Sequence, residues 1–423
     1  MSRRAALLAG LAAGLAAASA GAQTQASAEI FARYAAGVVQ VEIQESGSSA
    51  KRSIGSGFAV EPEGSFVTNY HVVAAALHDP DRYRVMIRTQ DGVEHEATLA
   101  AFDVVQDLAL LRSTDARGQP FVLHDGGTLR KGEKLFSLGN PLDLGMSVVE
   151  GTYNGLLEHS RYARIHFSGS LNPGMSGGPA LLESGEVAGV NVATAGEQVS
   201  FLVPVREVAS LLARAREVKF APPADLRAEL TSQLLHQQQG YLAEILAQPF
   251  AQVRMGPYLA PTGLAPFFNC WGDAPEDPKA YYSERTHACF TEDQVFVSED
   301  QSFAIVELHH RQLESTKLSG RRFYSLYSWA FEEDFSRRFG REQDFTPFRC
   351  HTGFVTNASL TFKATFCARR FRRLEGLYDV VFKAAALGQP SDGFETALLM
   401  SGVALEPARE LAQRVLESIR WAE

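Results

Sequence analysis

From about Ala28 to Val218 the chain is a succession of short apolar runs separated by glycine-bearing turns, and that spacing confines it to an all-β architecture. Val38–Ile43, Gly57–Val60, Ser65–Thr68, Tyr83–Ile87, Leu108–Leu111 and Glu186–Val192 each read as a strand. Many short strands at such intervals build a sandwich or a barrel rather than a parallel sheet. Val205 to Arg216 has apolar positions at helical spacing and closes the region.

The length of 423 residues leaves room for two or three domains. Lys219-Phe220-Ala221-Pro222-Pro223-Ala224-Asp225 is the linker candidate, because consecutive prolines oppose both helix and ladder. Beyond it, Leu226 to about Gln248 has an amphipathic helical pattern. Strand-like runs follow at 294–297, 302–306, 360–366 and 378–382, and a final helix is expected from Glu406 to Trp421. Residues 226–423 are therefore expected to form a separate α+β domain, and no family is evident for it. Its aromatics read as core, and Arg369, Arg370, Arg372 and Arg373 read as a basic face beside Cys367.

The first residues have their own explanation. Arg3 and Arg4 precede an Ala/Leu/Gly run ending in Ala20-Gly21-Ala22, a small-x-small cleavage pattern, so residues 1–22 read as an export signal. The expected location is the periplasm or the exterior of a bacterium, and no later segment is apolar enough to span a membrane. All four cysteines, Cys270, Cys289, Cys350 and Cys367, lie in the second half. An even count in an exported chain reads as disulfides, and near neighbours are the expected pairs, Cys270 with Cys289 and Cys350 with Cys367. With no CxxC pair, a zinc site is not expected. The net charge of −9 argues against nucleic acid as a partner.

Three segments carry chemistry. Ser176 sits in the glycine-rich turn Asn172-Pro173-Gly174-Met175-Ser176-Gly177-Gly178-Pro179. A serine hydroxyl is a weak nucleophile unless a base and an orienting carboxylate accompany it. Thr68-Asn69-Tyr70-His71-Val72-Val73 offers the base, and Gln106-Asp107-Leu108-Ala109-Leu110 the carboxylate. The order His, Asp, Ser is that of chymotrypsin, unlike the orders of subtilisins and α/β-hydrolases. His71 is expected to take the proton of Ser176, Asp107 to hold the imidazole, and the N–H groups of Gly174 and Ser176 to bind an oxyanion. Asp103 is the rival carboxylate. Asp107 is preferred because it directly precedes an apolar run that would hold it rigidly. His78, in a His-Asp-Pro turn, and His166, in a run feeding the serine loop, are poor bases by position.

These segments, with Gly55-Ser56-Gly57-Phe58 and Leu138-Gly139-Asn140-Pro141, resemble HtrA/Deg-type trypsin-like serine proteases over roughly residues 30–215. Phe201-Leu202-Val203-Pro204 stands where that family has a phenylalanine-containing strand. The resemblance implies a chymotrypsin-like double β-barrel with its active site between the barrels. It also implies a metal- and cofactor-independent endopeptidase acting on proteins or peptides, with homo-oligomers frequent among relatives.

Departures limit the transfer. Met175 replaces the family's usual asparagine before the nucleophile. Ser170, by analogy at the base of the primary specificity pocket, is small and neutral, which argues against a Lys or Arg preference. Val192 and Ala193 are the remaining substrate-binding candidates. A PDZ domain, common after the protease domain in that family, is not expected here, since Gly240-Tyr241-Leu242-Ala243 lies in a helical pattern. The different-class alternative is an envelope binding or scaffold protein on an inactive protease fold.

Overall fold

The structure is a computed structural model describing residues 25–422, except 49, 126, 197, 276, 278, 292 and 333–341. The export-signal expectation for residues 1–22 lies outside the described residues. No described helix is long and apolar enough to cross a membrane. The chain forms two compact units. The first comprises residues up to Glu158 together with Ala163–Ala224; the second comprises His159–Tyr162 and Asp225–Glu423.

The first unit opens with helix α1 (25–34). Six strands then close into an antiparallel barrel: β1 (Val38–Glu45), β2 (Lys51–Glu61), β3 (Ser65–Thr68), β4 (Tyr83–Arg88), β5 (Glu94–Asp103) and β6 (Leu108–Arg112). Their order around the barrel is β1-β2-β3-β6-β5-β4. One short helix, α2 (Tyr70–His78), interrupts the strands after β3. A second closed barrel follows from β7 (Lys134–Gly139), β8 (Ser147–Leu156), β9 (Ile165–Phe167), β10 (Pro179–Leu181), β11 (Val187–Gly196) and β12 (Val199–Pro204), in the order β10-β11-β12-β9-β8-β7. Closure leaves neither barrel with an open sheet edge. This is the chymotrypsin-like double barrel.

A single apolar cluster fixes one barrel against the other. Val38 and Phe58 of the first barrel pack with Phe136, Leu138 and Leu181 of the second, under Val208 and Leu211 of helix α3 (Val205–Glu217). All seven are essentially buried. Burying such a side chain contributes about 1.5–3 kcal/mol each, so the barrels are held rigidly where they meet.

The second unit is α+β. Its seven-stranded antiparallel sheet runs, edge to edge, Phe268–Asp273, Ser283–Thr291, Ile305–Glu314, Asp392–Val403, Tyr378–Ala386, Thr361–Arg370 and Arg349–Thr356. Helices Leu226–Ala247 and Leu405–Ser418 cover one face through Leu242, Ile245, Leu411 and Val415. Helix Gly320–Glu332 covers the other through Phe323 and Tyr327. Asp225 caps the first of these helices, accepting from the N–H groups of Arg227 and Ala228. Gly240-Tyr241-Leu242-Ala243 lies inside this helix.

Disulfides join Cys270 to Cys289 and Cys350 to Cys367, each across directly opposed strand positions. Each bond ties one of the two edge strands to its inner neighbour. An edge strand has a ladder on one side only and is the first to fray, so the staples sit where the sheet is weakest.

Two expectations need correction. The run Ser302–Val306 is not one strand, because Ala304 takes a left-handed φ of 63° and breaks it. Gln301–Phe303 pairs in a two-stranded sheet, whereas Ile305–Glu314 enters the large one. The final helix stops at Ser418, not Trp421, and Arg420–Trp421 pairs with Tyr258 and Leu259.

Candidate active site

His71 is the second residue of α2, at a helix terminus whose first N–H groups have no partner within the helix. Asp107 fills that gap. Its Oδ1 accepts from the His71 backbone N–H at 2.8 Å, and its Oδ2 lies 2.7 Å from His71 Nδ1. One carboxylate thus caps the helix and orients the ring. Asp107 sits at the mouth of β6 with a left-handed φ of 59°, a conformation aspartate tolerates better than most residues. Asn69 occupies the N-cap position but makes no side-chain cap bond. Instead its Nδ2 donates to the Asp107 carbonyl at 2.7 Å, locking that strained backbone in place.

Asp103 is committed elsewhere, accepting from the Gln106 N–H at 2.9 Å and from Arg214 at 2.7 Å. His78 Nε2 lies 3.4 Å from the Tyr70 hydroxyl, and His166 is paired opposite Phe201 within the second barrel. Neither alternative base shares the geometry of His71.

The Ser176 loop belongs to the second barrel and meets the first at these same residues. The Ser56 N–H donates to the Ser176 carbonyl at 2.7 Å. A Cβ placed on Gly177 would lie 2.4 Å from Thr68 Oγ1 and 3.0 Å from the Asn69 nitrogen, so only glycine allows this approach. The Ser176 loop is thereby pressed against the segment that leads into His71. Ser176 Oγ lies 3.4 Å from the Val192 carbonyl. That carbonyl is available because the β11–β12 register shifts between Asn191 and Ala193, leaving Val192 as an unpaired extra residue. Ala193 resumes the ladder opposite Phe201.

The loop's amides are held open. Gly174 has φ +95° and its carbonyl accepts from Ser56 Oγ at 2.7 Å. The Pro173 carbonyl accepts from the Leu142 N–H at 2.8 Å, which turns it outward. Among the described residues, the N–H groups of Gly174 and Ser176 donate to no protein acceptor. Two free donors flanking Met175, one of them on the residue that carries the hydroxyl, can bind a developing oxyanion.

Met175 is wholly buried, packed in the second barrel with Leu135, Phe167, Leu171 and Leu202. Its side chain points away from the amides, and an apolar residue suits that position. Ser170 is exposed at the start of the loop.

The electrostatics follow from this placement. Burial lowers the pKa of His71, but the charge of Asp107 and the hydrogen bond to it outweigh burial and leave the pKa above 6.5. The side chain retains 27% exposure, so the ring stays reachable from solvent.

Positioning residues escaped sequence reasoning. Ser56 Oγ donates to the Gly174 carbonyl and accepts from the Asn140 N–H at 3.0 Å. Asn191 Nδ2 donates to the Leu138 and Met175 carbonyls, both at 3.1 Å. The loop that holds Pro173 is itself anchored: Asp143 accepts from Gln40 at 2.6 Å and from Lys51 at 2.9 Å, and Lys51 reaches buried Glu42 at 2.9 Å. The signal for Ser56 and Asn140 was present, since both stand inside motif segments. Nothing local marks Asn191, Gln40 or Lys51.

Residues 55–190 match the family described as the trypsin-like peptidase domain. The chain is 33% identical over 205 residues to the serine protease HTRA2, mitochondrial, of Drosophila ananassae, covering 45% of this chain and 47% of that protein. It is 32% identical over 200 residues to the protein of the same name from Bos taurus, covering 44% and 42%. The chain thus spans about half the length of the curated relatives it matches. Among solved structures it is similar to the serine endoprotease from Yersinia pestis, at 26% identity and a TM-score of 0.39, over 45% of this chain and 66% of that one. Residues 55–190 thus match a trypsin-like peptidase domain, and the N-terminal half of the chain is similar to HtrA-type serine proteases.

Proposed function

We propose that the protein is an exported serine endopeptidase that cleaves protein substrates through His71, Asp107 and Ser176. The observation that carries the reading is the pairing of His71 Nδ1 with Asp107 at 2.7 Å beside a serine loop whose two amides are free. In this reading His71 Nε2 removes the proton of Ser176 as Oγ attacks the scissile carbonyl. Asp107 keeps the proton on Nδ1, so that Nε2 is the acceptor, and stabilises the imidazolium that forms. The Gly174 and Ser176 N–H groups hold the oxyanion. The protonated His71 then delivers its proton to the leaving amine, leaving an acyl-enzyme on Ser176. Water, activated by the same imidazole, releases the acid.

Export is supported by the arginine-led apolar run at the N-terminus and by two disulfides, which persist in oxidising compartments. A role in bacterial envelope protein quality control or processing follows from that location. Ser170 is proposed to line the primary specificity pocket, with Val192 and Ala193 pairing with the substrate backbone. A small neutral residue at 170 favours small or medium apolar side chains before the scissile bond.

Cleavage-site profiling by mass spectrometry, comparing the wild type with Ser176→Ala on an unfolded proteome, tests both parts. The expected result is a set of cuts after small or medium apolar residues, absent with Ser176→Ala. Cuts mainly after Arg or Lys would remove the specificity assignment. Cuts that persist in Ser176→Ala would remove the activity.

A further inference from the structure

The second unit carries a feature the protease reading does not use. An open hollow of about 990 Å³ lies on the sheet face beside the edge strand Arg349–Thr356. Arg349, Arg370, Arg372 and Arg409 line it together with Phe366 and Tyr378, and none of its described lining residues is acidic. Arg349 is opposite Ala368 across the ladder, so Arg370 is its diagonal neighbour on the same face. Such neighbours lie within about 8 Å, and like charges so placed repel. Among the described residues, only Arg409 of the four has a carboxylate partner, Glu406 at 3.2 Å, whereas Arg372 donates to the Phe345 carbonyl at 2.8 Å. A converging set of guanidinium groups with so little internal compensation suits an anionic ligand.

The adjoining strand offers the means of holding that ligand. Arg349–Thr356 has a ladder on one side only. The Cys350–Cys367 pair has its Cα atoms 4.0 Å apart, the close spacing of a non-hydrogen-bonded pair. The main-chain groups of Cys350, Thr352 and Phe354 therefore face outward, and among the described residues they have no hydrogen-bond partner. Phe354 is 74% exposed and Val355 44%. The Cys350–Cys367 disulfide clamps this edge to its neighbour, so it is preorganised for a further strand. A second copy of the chain pairing here would bring Arg349 towards its own like charge. An acidic strand meets complementary charge instead.

We propose that the Arg349–Thr356 edge and the arginine-lined hollow bind an extended acidic segment of a partner protein by strand addition. The partner's backbone pairs with Cys350, Thr352 and Phe354. Its carboxylates on one face reach Arg349 and Arg370, and Arg409 closes the hollow from the helix side.

The test uses the full chain carrying Ser176→Ala, so that nothing bound can be cut. Fluorescence anisotropy is measured with a labelled ten-residue peptide of alternating Glu and Val, its Lys-for-Glu counterpart, and vesicles containing phosphatidylglycerol. The expected result is binding of the acidic peptide alone, weakening with salt. Arg349→Gln with Arg370→Gln should weaken it at least tenfold. Thr352→Pro, which removes one outward N–H from an edge strand, should weaken it comparably while far-UV circular dichroism stays unchanged. Hydrogen exchange at Cys350, Thr352 and Phe354 should slow on binding. Equal binding of both peptides overturns the proposal, as does unchanged affinity in the arginine variant. Unslowed exchange at those amides overturns strand addition, and binding to the vesicles instead of the acidic peptide assigns the hollow to lipid.

Discussion

Replacing Asp107 with Asn is expected to lower kcat/KM by about four orders of magnitude while leaving the fold intact. The asparagine oxygen can still accept from the His71 backbone N–H, so helix α2 keeps its cap. Its amide group, however, donates towards Nδ1, which forces the proton of the neutral ring onto Nε2, where it cannot serve as a base. The pH profile separates this cause from a mere packing defect. In the wild type the Asp107 charge and hydrogen bond hold the His71 pKa above 6.5 against the opposing effect of burial. With His71 as the proposed base, activity requires the neutral ring, so the rising limb of kcat/KM is expected above pH 6.5. The same shift stabilises the folded state fully below pH 6.5, and that contribution fades as pH rises through the folded value, where activity appears. In Asp107→Asn only burial remains, and the limb of the residual activity should move to lower pH. A limb at the wild-type position would show that another group holds the imidazole.

Gly174→Ala is the second large effect, with an expected loss of about 100- to 1000-fold in kcat, the range seen when one oxyanion donor is removed. The added Cβ would stand 2.4 Å from the Asn140 carbonyl oxygen, and the backbone at φ +95° is one that alanine rarely adopts. Relief requires the Pro173–Gly174 peptide to rotate, which breaks the Leu142–Pro173 bond and takes the Gly174 N–H out of line. Substrate binding should change far less than kcat, because the donor matters when charge develops. Steady-state kinetics with a peptide substrate, alongside a thermal melt to show that the barrels persist, checks this. Wild-type kcat in the alanine variant would mean that the loop is not the oxyanion site.

Both variants concern residues that the sequence exposes, because the chemistry needs them inside short, unusual segments. Glycines beside a serine, or an aspartate directly before an apolar strand, stand out locally. The second barrel was less legible. Strand β8 is half-buried along most of its length and so lacks alternation, whereas β9 and β10 are only three residues each. Helix α2 is nine residues long and starts on a carboxylate 36 positions downstream, a cap that no local pattern reveals. Ser56, Asn140 and Asn191 act through hydrogen bonds to loops distant in the chain, and inside strands such residues look like any buried polar group. In the second unit, Ala304 breaks a run of strand-favouring residues because two sheets claim its halves, a tertiary decision that overrides local preference. Met175 is a further case. This departure from the family pattern fills the barrel beneath the loop, which no local pattern in the sequence marks.

The most direct measurement is labelling of the folded full-length protein with a fluorophosphonate, followed by peptide mapping. Activation of the Ser176 hydroxyl by His71 predicts about one label per chain, on Ser176, absent in Ser176→Ala and strongly slowed in Asp107→Asn. A folded protein that leaves the reagent unreacted, or that carries the label on another residue, contradicts it.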